Sequence, residues 1–305
     1  MSRDWSEQFV LARDERELGR QSELQRDVRH GVLVPVARGA YRRSAAISVD
    51  DDREDDDRFL ALLRATHLLA RGEIVFSGLS AAAVCGLPII GRWPERVSAL
   101  VAPSLGGRSN TAVQRTYVGH DLPAVWCDGL RVTSLAQTVI DVGRTAPFEV
   151  AVAIADAALQ RGVLSKDHLW ATLLHNRRAP GVAKCRSVIE FASGDAASAG
   201  ESLSRVAIRR LGIEAPELQV PFHDERGLIG IVDFWWPRLR VIGEFDGRGK
   251  YLRDEFTDGR TTAEVVLDEK AREDRLRPQA SAVVRWGWAE AQRPSLLGAK
   301  LHMLR

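Results

Sequence analysis

The stretch from Gly230 to Lys250, GIVDFWWPRLRVIGEFDGRGK, constrains this chain more than any other. β-branched and aromatic residues alternate on both sides of Trp236-Pro237-Arg238. That pattern reads as two short strands joined by a turn, because proline cannot donate to a central ladder. With an even pairing offset, alternation sets Val232, Phe234, Val241 and Phe245 on one face and Asp233, Ile242, Glu244 and Asp246 on the other. Three carboxylates then converge on a largely apolar hairpin. Acids so placed repel one another and lose hydration, so they require a cation, a proton or basic neighbours. A hard divalent metal bound through carboxylate oxygens meets that requirement.

With 305 residues and 45% hydrophobic content, the chain is long enough for two or three globular domains. Its 43 basic and 41 acidic residues nearly balance, at a net charge of +2. Indiscriminate coating of nucleic acid is thereby excluded, and any such binding must come from local patches. Cys85, Cys127 and Cys185 are widely separated and form no ligand pattern, which predicts reduced core thiols. No apolar run reaches membrane-spanning length, and the start MSRDWSEQ lacks a signal-peptide segment. The expectation is a soluble cytoplasmic protein with no membrane partner.

Three regions are expected: a DNA-binding domain over 1–45, a mixed α/β and helical region over 46–195, and an α/β domain over 196–305. In the first, a short amphipathic segment over Phe9 to Leu18 ends at Gly19, and Ser22-x-x-Gln25 offers a capping box for a second helix to His30. Leu24 and Val28 would face inward, with Gln25, Arg26 and Arg29 outward. VLVPVARGAYRR then reads as a β-hairpin with Arg38-Gly39 at its tip and Arg42 and Arg43 trailing, a basic wing. A helix beside a basic wing suits a major groove flanked by phosphates. Solvated arginines on a protein-contact domain are the plainer alternative.

The run VDDDREDDDR, from Val49, has no calcium-loop spacing and reads as an acidic linker, its aspartates favouring the N-terminus of the next helix. Between Ile74 and Ser193 the sequence predicts helices and strands, among them a helix through Val142 capped by Thr133 and Ser134, but no chemistry. Asp141 and Asp156 sit among small and apolar helical positions and are expected to be structural, while His120, His168 and His175 show no ligand spacing. Ser198-x-x-Glu201 starts another helix, and a strand over Glu217 to Phe222 follows it. A helix over Ala263 to Leu276 carries Lys270 and Arg272 among acids and admits i,i+4 pairs such as Lys270 with Asp274. AVVRW, Ala282 to Trp286, would be the closing strand.

Two family resemblances attach to these motifs. The set Asp233, then Glu244-Phe-Asp246-Gly247, with Lys250 close behind, resembles the PD-(D/E)xK nuclease core, and most of all its Vsr-like, very-short-patch-repair-type branch. This implies Asp233 and Glu244 as ligands of Mg²⁺ or Mn²⁺, with Asp246 where the usual motif has lysine and Lys250 in place of a frequent histidine. It also implies that Glu201 is the acid of a leading helix and that Glu269, Arg272 and Leu276 match a helix reaching the site. Glu201 thus has two readings, metal-site acid and capping-box partner of Ser198. Lys250 or Lys270 would stabilise transition-state charge. The second resemblance covers about the first half of the chain. Gly31-x-Leu33 with Arg38-Gly39-x-Tyr41, SGLSAAAVCGLP and DGLRVTSLAQTVIDVGR are similar to AbiEi-family antitoxins, which have a winged helix-turn-helix. DNA is then the expected partner, through Arg26, Arg29, Arg38, Arg42 and Arg272, with a cognate toxin as a second. The expected function is a DNA-binding, metal-dependent endonuclease. The alternative is a non-enzymatic antitoxin or transcriptional regulator whose carboxylates merely pair with arginines.

Overall fold

The computed structural model describes residues 5–47, 54–101, 113–117, 124–247 and 262–304, and they form a mixed α/β protein. The chain divides into two compact units, Met1–Ala146 with Lys166–Arg186, and Pro147–Ser165 with Ser187–Arg305.

The first unit opens with β1 (Phe9–Leu11), α1 (Ala12–Glu17), α2 (Gln21–Arg29), β2 (Leu33–Ala37) and β3 (Ala40–Arg43). The strands make an antiparallel sheet in the order β1-β3-β2. Both turns are set by glycine in the left-handed region, Gly19 after α1 (φ 71°) and Gly39 at the hairpin tip (φ 87°). Helix α2 buries Leu24 and exposes Gln25, Arg26 and Arg29, as its periodicity predicts. The expected cap at Ser22 is not formed. Helix α2 begins at Gln21 with Arg20 in the cap position and no side-chain cap bond, so Ser22 lies inside the first turn.

Helix α3 (Glu54–Leu69) carries four acids in its first turn and buries Phe59, Leu63 and Ala65 in a core shared with Phe9, Leu11 and Ala40. A five-stranded sheet follows, made of β4 (Val75–Phe76), β5 (Val97–Val101), β6 (Val113–Tyr117), β7 (Val125–Cys127) and β8 (Leu130–Val132) in the order β6-β5-β4-β8-β7. Helix α4 (Gly78–Val84) lies between β4 and β5 in sequence, and α5 (Leu135–Thr145) follows β8. Ser134 caps α5 as expected, its Oγ accepting from Gln137 N–H at 3.2 Å. Strands β4 and β7 were not legible. Val75 and Phe76 are both fully buried, so β4 has no alternation to read.

The chain continues through α6 (Phe148–Gln160), α7 (Lys166–His175) and α8 (Val182–Phe191), of which α6 belongs to the second unit and α7 to the first. The rest of the second unit is α9 (Ala199–Arg210), β9 (Glu217–Asp224), β10 (Gly227–Trp236), β11 (Val241–Phe245), α10 (Thr262–Leu276), β12 (Ala282–Trp286), α11 (Trp288–Gln292) and α12 (Pro294–Lys300). Its sheet runs β12-β11-β10-β9. Strands β9, β10 and β11 pair antiparallel, while β12 pairs parallel to β11 after the intervening α10. The register Phe234↔Gly243, Trp235↔Ile242 and Trp236↔Val241 has the even offset expected from the sequence. The Phe234 and Trp286 rings pack at a tilt within this unit, 5.1 Å between centroids. Gly243 makes room for the Trp286 ring, since a Cβ there would lie 2.5 Å from it. Trp286 Nε1 donates to Ser204 Oγ at 2.8 Å, which fixes β12 to α9. Asp156 of α6 is fully buried and accepts from Ser193 N–H, Ser202 Oγ and Arg205 Nη1, the structural role expected of it. Burial pushes its carboxyl above the ordinary range, and Arg205 opposes that shift.

Candidate functional site

In the first unit, α2 and the β2–β3 hairpin present Arg26, Arg29 and Arg38 at the surface. A cleft of about 600 Å³ opens between α1, α2 and β3, with Arg16, Gln21, Gln25, Arg29 and Tyr41 on its polar walls. Arg42 departs from the expected basic wing. Strand alternation that buries Ala40 also turns Arg42 inward, leaving it 5% exposed. Its guanidinium meets Asp57 of α3 and the Ala46 carbonyl, so it joins β3 to the acidic first turn of that helix. Arg42→Ala is therefore expected to destabilise the first unit by about 2 kcal/mol, because Asp57 loses its partner in a mostly buried pair. Arg38→Ala, at an exposed residue, should leave stability unchanged; urea unfolding of the two variants separates the roles.

In the second unit the acids divide into two groups. Glu201 stands in the first turn of α9, which Ser198 caps by accepting Glu201 N–H at 3.2 Å. The Glu201 carboxylate turns back to accept Ala197 N–H at 2.8 Å and Ser198 Oγ–H at 2.8 Å. It also accepts from Gln219 Nε2 at 2.9 Å, and the same amide reaches Asp233 Oδ1 at 3.3 Å. Asp233 Oδ2 takes the backbone N–H of Phe245 at 2.8 Å, beyond the last paired residues of β10 and β11. Glu201 is thus a partner of the Ser198 cap, as one of its two readings expects, and its carboxylate also faces Asp233 across the Gln219 amide. Glu201 is 5% exposed, and burial first, then the Asp233 charge, raise its pKa above the ordinary value.

Gln219 was missed in the sequence. It sits in β9 with φ 50°, a left-handed conformation that a non-glycine strand residue rarely adopts. Nothing in ELQVPF marks that residue for a positive φ.

Glu244 forms the second group, held by arginines. Its Oε1 accepts from Arg272 Nη2 at 2.7 Å, and its Oε2 lies 3.1 Å from Arg285 Nη2. Both oxygens of this buried acid are thus engaged by arginine. Arg272, expected to contact DNA, also donates to the Ile231 carbonyl at 3.0 Å. Gly230 permits that path, for a Cβ there would lie 2.6 Å from Arg272 Nε. Asp246 and Lys270 are exposed, and no hydrogen bond among the described residues joins either side chain to Glu201 or Asp233. Likewise the expected Lys270–Asp274 pair is absent among the described residues. Lys250 lies outside the described residues, and so does the side chain of Glu269.

The pair Glu201 and Asp233 has the chemistry of a hard-cation site: two carboxylates, one of them buried, share a single neutral amide. No basic side chain bonds to either among the described residues. Glu244 lacks that chemistry, its charge being already matched. Among the described residues no group of three or more His, Cys, Asp or Glu side chains could hold a metal. A magnesium-type ion does not require such a cage, since one or two carboxylates, water and substrate phosphate complete its shell.

No family model matches the chain. Two uncharacterized proteins of Mycobacterium tuberculosis, MT2308 of strain CDC 1551 / Oshkosh and Rv2248 of strain H37Rv, are each 31% identical over 157 residues, or 48% of this chain. The match spans 58% of the length of these curated relatives. The crystal structure of the RV2827C protein from Mycobacterium tuberculosis aligns with 73% of this chain and 90% of its own at a TM-score of 0.36 and 14% identity. That likeness is too distant to carry an inference about fold or function. No helix among the described residues is long and apolar enough to cross a membrane.

Proposed function

We propose that this chain is a DNA-binding protein whose second unit hydrolyses phosphodiester bonds with Mg²⁺ or Mn²⁺ held by Glu201 and Asp233. The observation that carries the proposal is the sharing of one amide, Gln219, by those two acids, one buried and with a raised pKa. The order α9, β9-β10-β11, α10, β12, with the last strand parallel to β11, supports a PD-(D/E)xK-like reading of this unit. In the first unit, two helices inserted between β1 and β2 of a β1-β3-β2 sheet support a winged helix-turn-helix.

When bound, the cation would lower the pKa of its water and withdraw charge from the phosphate. The chain's own residues set the stage for that. Glu201 and Asp233 bind, with Gln219 and the Phe245 amide fixing their oxygens. Glu244 acts one step back, holding Arg272 and Arg285 in place.

Partners that orient ligands contribute tenfold or more to metal affinity. Gln219→Leu is accordingly expected to weaken Mn²⁺ binding by about tenfold. Gln219→Gly should weaken it equally while raising the melting temperature above that of the leucine variant, because glycine adopts φ 50° without strain. Calorimetric titration and thermal melts measure both.

The direct test is plasmid nicking by the full chain in Mg²⁺, Mn²⁺ or EDTA, with Glu201→Gln and Asp233→Asn beside it. Metal-dependent nicking lost in both variants is the expected result. A second reading rests on the double arginine clasp of Glu244: a non-enzymatic antitoxin or regulator, with a toxin as partner, in which this ion-pair network has replaced a catalytic one. Operator binding without nicking in any metal would favour it over hydrolysis.

A further inference from the structure

The first unit carries a second basic surface, on the turn between α7 and α8. From Leu169 to Ile189 the sequence holds no acidic residue, yet it contains His175, Arg177, Arg178, Lys184 and Arg186. Several other arginines of the first unit are matched by acids, as in Arg42–Asp57, Arg64–Asp128, Arg131–Glu73 and Arg144–Asp141. Arg177, Arg178 and Arg186 are exposed and make no ion pair among the described residues.

The turn that displays them is built, not loose. Asn176 Nδ2 donates to Gln137 Oε1 at 3.1 Å and to the Thr172 carbonyl at 2.9 Å. Arg144 Nε donates to the Pro180 carbonyl at 2.8 Å. Gly181 holds φ 83° against the Arg144 carbonyl, where a Cβ would clash with backbone. Side chains of α5 thus clamp the turn from below while its cations point to solvent. A backbone held in advance loses little freedom on binding.

We infer that this turn is a second docking surface for the phosphodiester backbone of duplex DNA, additional to α2 and the hairpin. Arginine supplies most of the charge, and its planar fork suits phosphate oxygens. A membrane surface fits less well, because Leu169, Leu173, Cys185, Val188 and Ile189 are buried and Leu174 is the large exposed hydrophobic of the stretch. The inference rests on the DNA-binding part of the proposed function but not on hydrolysis.

The test compares the full chain with a triple variant, Arg177→Ala, Arg178→Ala and Arg186→Ala, and with Arg26→Ala, Arg29→Ala. Binding to two unrelated duplexes is measured against salt concentration, with anionic phosphatidylserine vesicles as a separate arm. Removing three phosphate contacts should lower the slope of log affinity against log salt by about three and weaken binding at low salt by about tenfold or more, equally on both duplexes. Thermal melting should not move, since the three side chains are exposed. An unchanged slope in the triple variant, with the α2 variant impaired, overturns the inference and leaves the DNA-binding reading standing. Wild-type protein that binds neither duplex, or vesicles alone, overturns both.

Discussion

Asp233→Asn is expected to act in opposite directions on stability and on catalysis. In EDTA at neutral pH the second unit should become more stable, by about 1 kcal/mol, because a negative charge beside buried Glu201 is removed while the amide still accepts Phe245 N–H. On the proposed hydrolysis, DNA nicking should fall by about a thousandfold, equivalent to about 4 kcal/mol of barrier, with the loss of a charged group from the proposed cation site. Stability given up at a working site is a common feature of enzymes. The same logic gives a pH signature. Glu201 has a folded-state pKa raised above its ordinary 4.5, so its ionisation opposes folding above that value. Its penalty fades as pH falls through the raised folded pKa toward 4.5. Asp156 contributes with the same sign, which is why Glu201→Gln must be compared: it should flatten only part of the rise. Further acidification reverses the trend. Asp224 and Glu290 are held down to about 2 by Arg275 and by Lys300, and the stability they supply is lost as pH falls toward that value. Thermal melts across pH in EDTA, for wild type, Glu201→Gln and Asp233→Asn, check these signs.

Gly200→Ala should cripple the second unit by a different route. Helix α9 lies so close to β11 that an added Cβ would fall within the Phe245 ring, and Phe245 is itself buried and edge-on to Trp288 at 5.3 Å. Neither element can yield cheaply, because Trp286 ties β12 to Ser204 of the same helix. Overpacking of this kind costs about 3 kcal/mol. For a unit of this size that lowers the melting temperature by roughly 10 °C. Glu201 is the next residue, so whatever folded protein remains should also bind Mn²⁺ more weakly. Ser204→Ala serves as a comparison that weakens the same packing without moving Glu201. If Gly200→Ala melted with wild type, the close approach of α9 to β11 would be wrong.

The two units differ in how much of them was legible in the residues. Period-two patterning around a proline-containing turn gave β10 and β11 with their even offset, and Ser134 and Ser198 announced the starts of α5 and α9 through their own hydroxyls. Those signals are local. The fate of Glu244 depended on Arg272 and Arg285, which stand 28 and 41 positions along the chain and reach it through α10 and the parallel strand β12. No spacing rule announces such a meeting. Gln219 escaped for another reason, since its function comes from a backbone angle that the side chain does not advertise. Arg42 is the instructive miss: Ala40, two residues earlier, is fully buried in the same strand, and the alternation used for β10 would have turned Arg42 inward too.

A Mn²⁺ titration of the full chain at neutral pH, read by electron paramagnetic resonance of the free ion, addresses the Glu201–Asp233 site most directly. One ion should bind wild-type protein, with affinity lost in Glu201→Gln and in Asp233→Asn but kept in Glu244→Gln if that variant folds. Equal binding by wild type and both variants, or none by wild type, would mean that these two acids are not a cation site.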